Sequence, residues 1–191
     1  VVFLLGSQLR YDYAQATWKT GSSQMLSSRN MRLASNLFHV GVLAILFGHL
    51  FGLLTSHWVY VPFLSAPHKQ LPAMVCGGVA GVLCLLGGSM LLVRRLFTPR
   101  VRAAPRAMAL AIIALLGLQV GLGLLSIVFS MDHLDGNMML ALANWAQAIV
   151  FFQGDAAGHL TGVPLIFKLH IFLCLTIMLI VPFTLLVHVW G

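Results

Sequence analysis

The run Leu37 to Thr55, LFHVGVLAILFGHLFGLLT, is apolar over the length of a bilayer and still carries two histidines, His39 and His49. A hydrocarbon core of about 30 Å is crossed by about 20 apolar residues in a helix. A histidine inside such a run is costly unless its ring nitrogens are hydrogen-bonded or bound. A second long run, Val163 to Trp190, carries His170 and His188.

The rest of the chain agrees with a membrane reading. It has 191 residues, 60% hydrophobic and 8% charged, where soluble domains carry about a quarter charged residues. The net charge of +7 does not point to nucleic acid, because the basic residues sit in short loops between apolar runs. Cys76, Cys84 and Cys174 lie inside apolar runs without CxxC spacing, so they read as small core residues. The chain opens on Val1, already in an apolar run, and stops three residues after His188. It reads as a fragment trimmed at both ends, residues 1–191 forming one transmembrane domain.

Five transmembrane helices are expected in an all-α bundle, the first of them truncated. They are Val1 to Leu9, Leu37 to Thr55, Leu71 to Val93, Met108 to Phe129 and Val163 to Trp190, the last kinked or tilted by Pro182. The third is dense in glycine (Gly77, Gly78, Gly81, Gly87, Gly88), and the fourth carries Gly117, Gly121 and Gly123. Such residues let helix backbones approach closely in lipid. Met138 to Phe152 is apolar but interrupted by Asn144, Trp145 and Gln147, and reads as a short interfacial helix.

Orientation follows from the basic residues. Nine of the eleven, Arg10, Lys19, Arg29, Arg32, Arg94, Arg95, Arg100, Arg102 and Arg106, fall in the loops after helices one and three. That side is expected to be cytoplasmic, with the N-terminus outside and the C-terminus inside. Helices two and five then run antiparallel. His39 and His188 share the inner depth, and His49 and His170 the outer. His170 and His188 lie 18 residues apart, five turns of an ideal helix, whereas His39 and His49 are offset by about 80°. The rise is less even, about 15 Å in one helix and about 27 Å in the other.

A lone intramembrane histidine is more often a hydrogen-bonded bundle residue than a ligand. Four in two depth-matched pairs point instead to two flat metal complexes, each held between two neutral imidazoles, which is bis-histidine haem. Zinc would need further ligands nearby. Gly48 and Gly52 flank His49, and Gly41 follows His39; glycine there leaves room for a porphyrin or for a neighbouring helix.

The stretches SSQML (Ser22 to Leu26), ASNLFHVGVLAILFGHLFGLLTSHW (Ala34 to Trp58), GVLCLLGG (Gly81 to Gly88), RRLFTPRVRA (Arg94 to Ala103) and IFKLH (Ile166 to His170) resemble the gamma subunit of bacterial respiratory nitrate reductase. The resemblance implies a dihaem cytochrome b in the bacterial inner membrane. It would oxidise quinol near an outer haem and pass electrons through an inner haem to an iron–sulfur beta subunit, then to a molybdenum alpha subunit that reduces nitrate. It implies His39 and His188 as axial ligands of the inner haem, and His49 and His170 of the outer. Lys69 matches a lysine that binds quinol. Arg95 matches an arginine near the inner haem, where it serves either as a propionate partner or as a topology charge. Lys168 stands where an arginine is expected, and either residue can pair with a propionate.

His57, His68, His133 and His159 fall in outer loops, and His57 is the best placed of them to take a proton from quinol. Outward proton release with inward electron transfer would store about 2.3 kcal/mol per charge per 100 mV. The nearest rival reading is a related dihaem cytochrome b of a sulfur- or heterodisulfide-linked reductase.

Overall fold

The computed structural model describes residues 1–13, 31–97 and 107–184. Among them the regular structure is entirely helical. The elements are α1 (Val2–Tyr13), α2 (Met31–Leu54), α3 (His57–Tyr60), α4 (Ala66–Phe97), α5 (Ala107–Met131), α6 (Asn137–Val150) and α7 (Leu165–Ile180). Two 3₁₀ turns, Ala156–Leu160 and Val181–Phe183, flank α7. Among the described residues four segments are long and apolar enough to cross a membrane: Met31–Leu54, Ala66–Phe97, Leu110–Met131 and Leu165–Phe183. The expected fifth span is not among them, since α1 has only 12 residues.

Side-chain size is distributed as lipid requires. Large apolar residues face outward, with Phe172 70% and Phe51 66% exposed, while the buried positions hold Ala34, Ala80 and Cys84. Lipid tails are as apolar as leucine, so helices gain by close backbone approach rather than by burying bulk. The α2–α4 seam shows this directly. A Cβ on Gly41 would lie 2.6 Å from the Cys84 amide nitrogen, and one on Gly87 would lie 2.7 Å from the Ala34 carbonyl. A Cβ on Gly81 would strike Leu124 of α5 at 2.7 Å.

The packing runs α2 to α4, α4 to α5, and α5 to α7, while the backbones of α2 and α7 stay apart along most of their lengths. The short helix α6 lies across the C-terminal end of α2 and packs on α4. There Gln147 donates to the Leu53 carbonyl (2.9 Å) and accepts from the Ser56 hydroxyl (3.3 Å), satisfying a carbonyl that the end of α2 leaves open. Gln70, buried at the start of α4, donates to the His133 carbonyl beyond α5 (2.9 Å).

Several boundaries differ from expectation. Helix α4 begins at Ala66, so His68 and Lys69 are helical rather than in the preceding loop. The glycines do not act alike: Gly117 and Gly121 have nothing within 4 Å of a Cβ, and Gly77 and Gly78 make only ordinary contact with Ile127. Of the cysteines only Cys84 is a core residue; Cys76 and Cys174 are exposed.

The largest difference is at the end of the last span. The expectation of one helix to Trp190, merely kinked, fails. The α-helix stops at Ile180, and a 3₁₀ turn through Pro182 ends on extended Thr184 (φ −121°, ψ 178°). Proline removes a donor and crowds the preceding turn. The carbonyls released at Pro182 and Thr184 both accept from Arg10 Nη1 of α1, at 2.8 Å each. Gly6 of α1 admits the Pro182 ring, which would sit 2.9 Å from a Cβ there. Irregular backbone at membrane depth survives only when protein supplies such partners. The break also removes the five-turn argument that put His170 and His188 on one stripe.

Candidate functional site

His49 lies five residues before the end of α2 at Leu54, and His170 five residues after the start of α7 at Leu165. In antiparallel helices that places both about 7.5 Å from the same end. Their rings face each other, centroids 6.2 Å apart and planes inclined at 37°. Two imidazole–metal bonds of about 2 Å each, plus about 1 Å from each nitrogen to its ring centre, would put centroids about 6 Å apart. The spacing fits a metal held between two imidazoles.

The hydrogen bonds fit as well. His49 Nδ1 is 2.8 Å from the Ile45 carbonyl, and His39 Nδ1 is 2.7 Å from the Ser35 carbonyl. A carbonyl can only accept, so in both rings Nδ1 carries the proton and Nε2 keeps its lone pair. Metal-ligating histidines are held in this way, by a bond from the other nitrogen that fixes tautomer and ring angle. His170 Nδ1 is buried and has no hydrogen-bond partner among the described residues. Space is available too: Gly48 and Gly52 beside His49 have nothing within 4 Å of a Cβ, and Gly123 of α5 lies against the His170 ring, a Cβ there falling 3.1 Å from Cε1.

Of the other expected pair, His39 and His188, only His39 is described. His39 is exposed, with Phe38 edge-on to its ring at 5.5 Å. His188 lies outside the described residues, as do Lys19, Arg29, Arg100, Arg102 and Arg106. Gly41, which allowed either clearance beside His39 or close helix packing, is pressed into α4. A cavity of about 320 Å³ opens near Phe38 between α2, α4 and α5, lined among others by Gly88, Ser89 and Gly117. Among the described residues no three His, Cys, Asp or Glu side chains gather as a cluster for a bare metal ion.

Lys69 reaches the C-terminal end of α2. Its Nζ donates to the Gly52 carbonyl (3.1 Å), three residues past His49, and lies 4.0 Å over the Tyr60 ring. That contact is a cation–π pair. The Tyr60 hydroxyl is 3.0 Å from His57 Nδ1, and burial pushes its pKa up. Lys69, Tyr60 and His57 thus form one polar chain near the His49–His170 pair. Lys168 is exposed in the first turn of α7, two residues before His170, and Arg95 sits in the last turn of α4 beside Arg94.

Two residues of the site escaped the sequence reading. Tyr60 joins His57 to Lys69 although the loop spacing gives no sign of it. Gln119 is the other: its Nε2 lies 3.4 Å from His170 Nε2. Its sequence signal was a single amide within α5, a 25-residue apolar helix.

A family model described as nitrate reductase gamma subunit matches residues 1–191. The chain is 54% identical over 190 residues to the respiratory nitrate reductase 1 gamma chain of Escherichia coli, covering 100% of this chain and 84% of that protein. The respiratory nitrate reductase 2 gamma chain of the same organism is equally similar. The nitrate reductase gamma chain of Bacillus subtilis is 30% identical over 191 residues, covering 100% of this chain and 85% of that one.

Proposed function

The chain belongs to the nitrate reductase gamma subunit family, and from that premise we propose that it is the dihaem cytochrome b of its complex, taking electrons from quinol near the outer face and delivering them inward to an iron–sulfur subunit and thence to a molybdenum subunit. Membership makes it a subunit of an oxidoreductase complex, and its four apolar segments fit a multi-pass membrane protein. The observation that carries the proposal is the His49–His170 pair, 6.2 Å apart on two spans whose backbones do not close on each other. His49 and His170 would hold the outer haem b, and His39 and His188 the inner. Haem gripped by two imidazoles exchanges single electrons and keeps no open coordination site for substrate.

The chain's own residues then divide the work. The backbone carbonyls of Ile45 and Ser35 fix the tautomers of His49 and His39. Lys69 brings an ammonium one turn beyond His49, where its N–H groups can donate to a quinol oxygen and orient the ring. Tyr60 supports Lys69 from below, and its hydroxyl oxygen accepts the His57 Nδ1–H, which leaves the His57 Nε2 lone pair free. Exposed His57 is placed to take the quinol's proton toward outer water. Lys168 and Arg95 are the candidate propionate partners at the two depths.

Stopped-flow reduction of haem by quinol in the assembled membrane complex tests the donor side. Lys69→Ala should keep the full haem content yet slow reduction about 10- to 100-fold, the value of one hydrogen bond to a charged group. Unchanged kinetics would remove Lys69 from the quinol site. The family match favours this reading over a sulfur- or heterodisulfide-linked cytochrome.

A further inference from the structure

Gln70 follows Lys69 in the first turns of α4 and is only 4% exposed. Its Nε2 donates to the His133 carbonyl at 2.9 Å, in the link between α5 and α6. A carbonyl can only accept, so the amide nitrogen belongs on that side. The other neighbour of Nε2, Met74 Sδ at 3.7 Å, is a weak acceptor in the same helix. Gln70 Oε1 has no hydrogen-bond partner among the described residues. Burying an amide costs free energy that its hydrogen bonds must offset. The bond to His133 is the one strong contact this amide makes, and it reaches another element.

Successive residues leave a helix about 100° apart. Lys69 ties the first turns of α4 to Gly52 of α2, and Gln70 ties them to the α5–α6 link. One tether leaves a helical turn able to roll about its axis, whereas two in different directions fix its rotation. Pro72 makes these tethers matter. It lies inside α4 and has no N–H to give the His68 carbonyl, so the segment carrying Lys69 joins the rest of the helix through a weakened ladder. The α5–α6 link is a close-fitting seat for that segment. Gly136 holds φ +80°, and a Cβ there would fall 2.7 Å from Ala66 Cβ and 2.9 Å from the Pro67 nitrogen.

We propose that Gln70 is a positioning residue for quinol binding: through the His133 carbonyl it sets the rotation of the first turns of α4, and so where the Lys69 ammonium stands. Gln70 itself does not touch quinol. A lysine ammonium is a point charge on a flexible four-carbon stem, so its place depends on where the stem is rooted. With the His133 bond gone, the root rolls on Gly136 and the ammonium spends less time where a quinol oxygen can accept from it. Affinity for quinol falls, while the haems and the electron transfer between them are untouched.

This role rests on the reading of Lys69 as the quinol-binding residue, and the test separates the two. Haem reduction by a short-chain quinol is followed by stopped flow in membranes carrying the assembled complex, across quinol concentrations. Gln70→Met is unbranched, of similar length and without a donor. It should raise the half-saturating quinol concentration about 10-fold, part of the value of one hydrogen bond to a charged group, with the limiting rate and haem content unchanged. Gln70→Asn, an amide one methylene too short for the His133 carbonyl, should shift it in the same direction. In a Lys69→Ala background neither substitution should add a further shift, because residues acting through one another are not additive. Unmoved half-saturation in both Gln70 variants, or the same factor with and without Lys69, overturns the positioning role alone. Half-saturation and rate both unmoved by Lys69→Ala itself overturn the quinol reading of Lys69, and this role with it.

Discussion

One stripe of α2 does two different things along its length. Gly41, Gly48 and Gly52 repeat at intervals of seven and four, so an ideal helix puts them on one face. At Gly41 that face is shut, pressed against the backbone of α4 at Cys84 and Ala80. At Gly48 and Gly52 nothing stands within 4 Å of a Cβ, and the opening lies beside His49. The same residue type serves as a seam at one depth and as clearance at the other. Glycine density alone therefore does not tell helix packing from room for a large flat group. What distinguishes them is whether a neighbouring backbone has already taken the space.

The sharpest way to break this contrast is to add carbon at both depths. Gly87→Leu, which meets the Ala34 carbonyl across the seam, cannot be relieved by turning a side chain. It should cost more than the 1–3 kcal/mol of ordinary overpacking, read as loss of monodisperse protein in detergent chromatography. Gly48→Phe should leave that seam and its elution profile intact but lower outer-haem content, because it fills clearance instead of displacing backbone. If both variants fail to assemble, the two glycine roles are not distinct.

A smaller effect sharpens the comparison at the other end of the bundle, where a span is broken rather than packed. Arg10→Ala leaves the Pro182 and Thr184 carbonyls without the guanidinium that now serves both. Hydrogen bonds to a charged group are worth about 1.5–3 kcal/mol, so the Tm of the assembled complex should fall by several degrees. An unchanged melt would mean that water or lipid head groups satisfy the break equally well.

Much of this was legible in the residues. The apolar runs located the four spans, since hydropathy over about 20 residues is decided by the cost of exposing polar backbone and charge to lipid. The antiparallel depth matching of His49 with His170 followed from the same runs, and the rings do face each other. What was not legible depends on contacts between distant segments. Helix α4 starts early because Gln70 and Lys69 find partners at His133 and Gly52, in other elements. The end of α7 at Ile180 is not given by Pro182 alone, which helices often absorb as a kink; it needs Arg10, 172 residues away. Gln119 looked like an isolated polar residue until α5 was packed on α7, when it met a histidine.

The central claim is that the opposed rings of His49 and His170 grip one of two haems. The most direct measurement is a pyridine haemochrome count on the purified complex, made with His49→Ala and His170→Ala side by side with the unmodified chain. The account predicts two haems per chain in the unmodified complex and one in each variant, with the same one missing from both by its visible spectrum. Two haems retained in either variant, or different haems lost from the two, would contradict it.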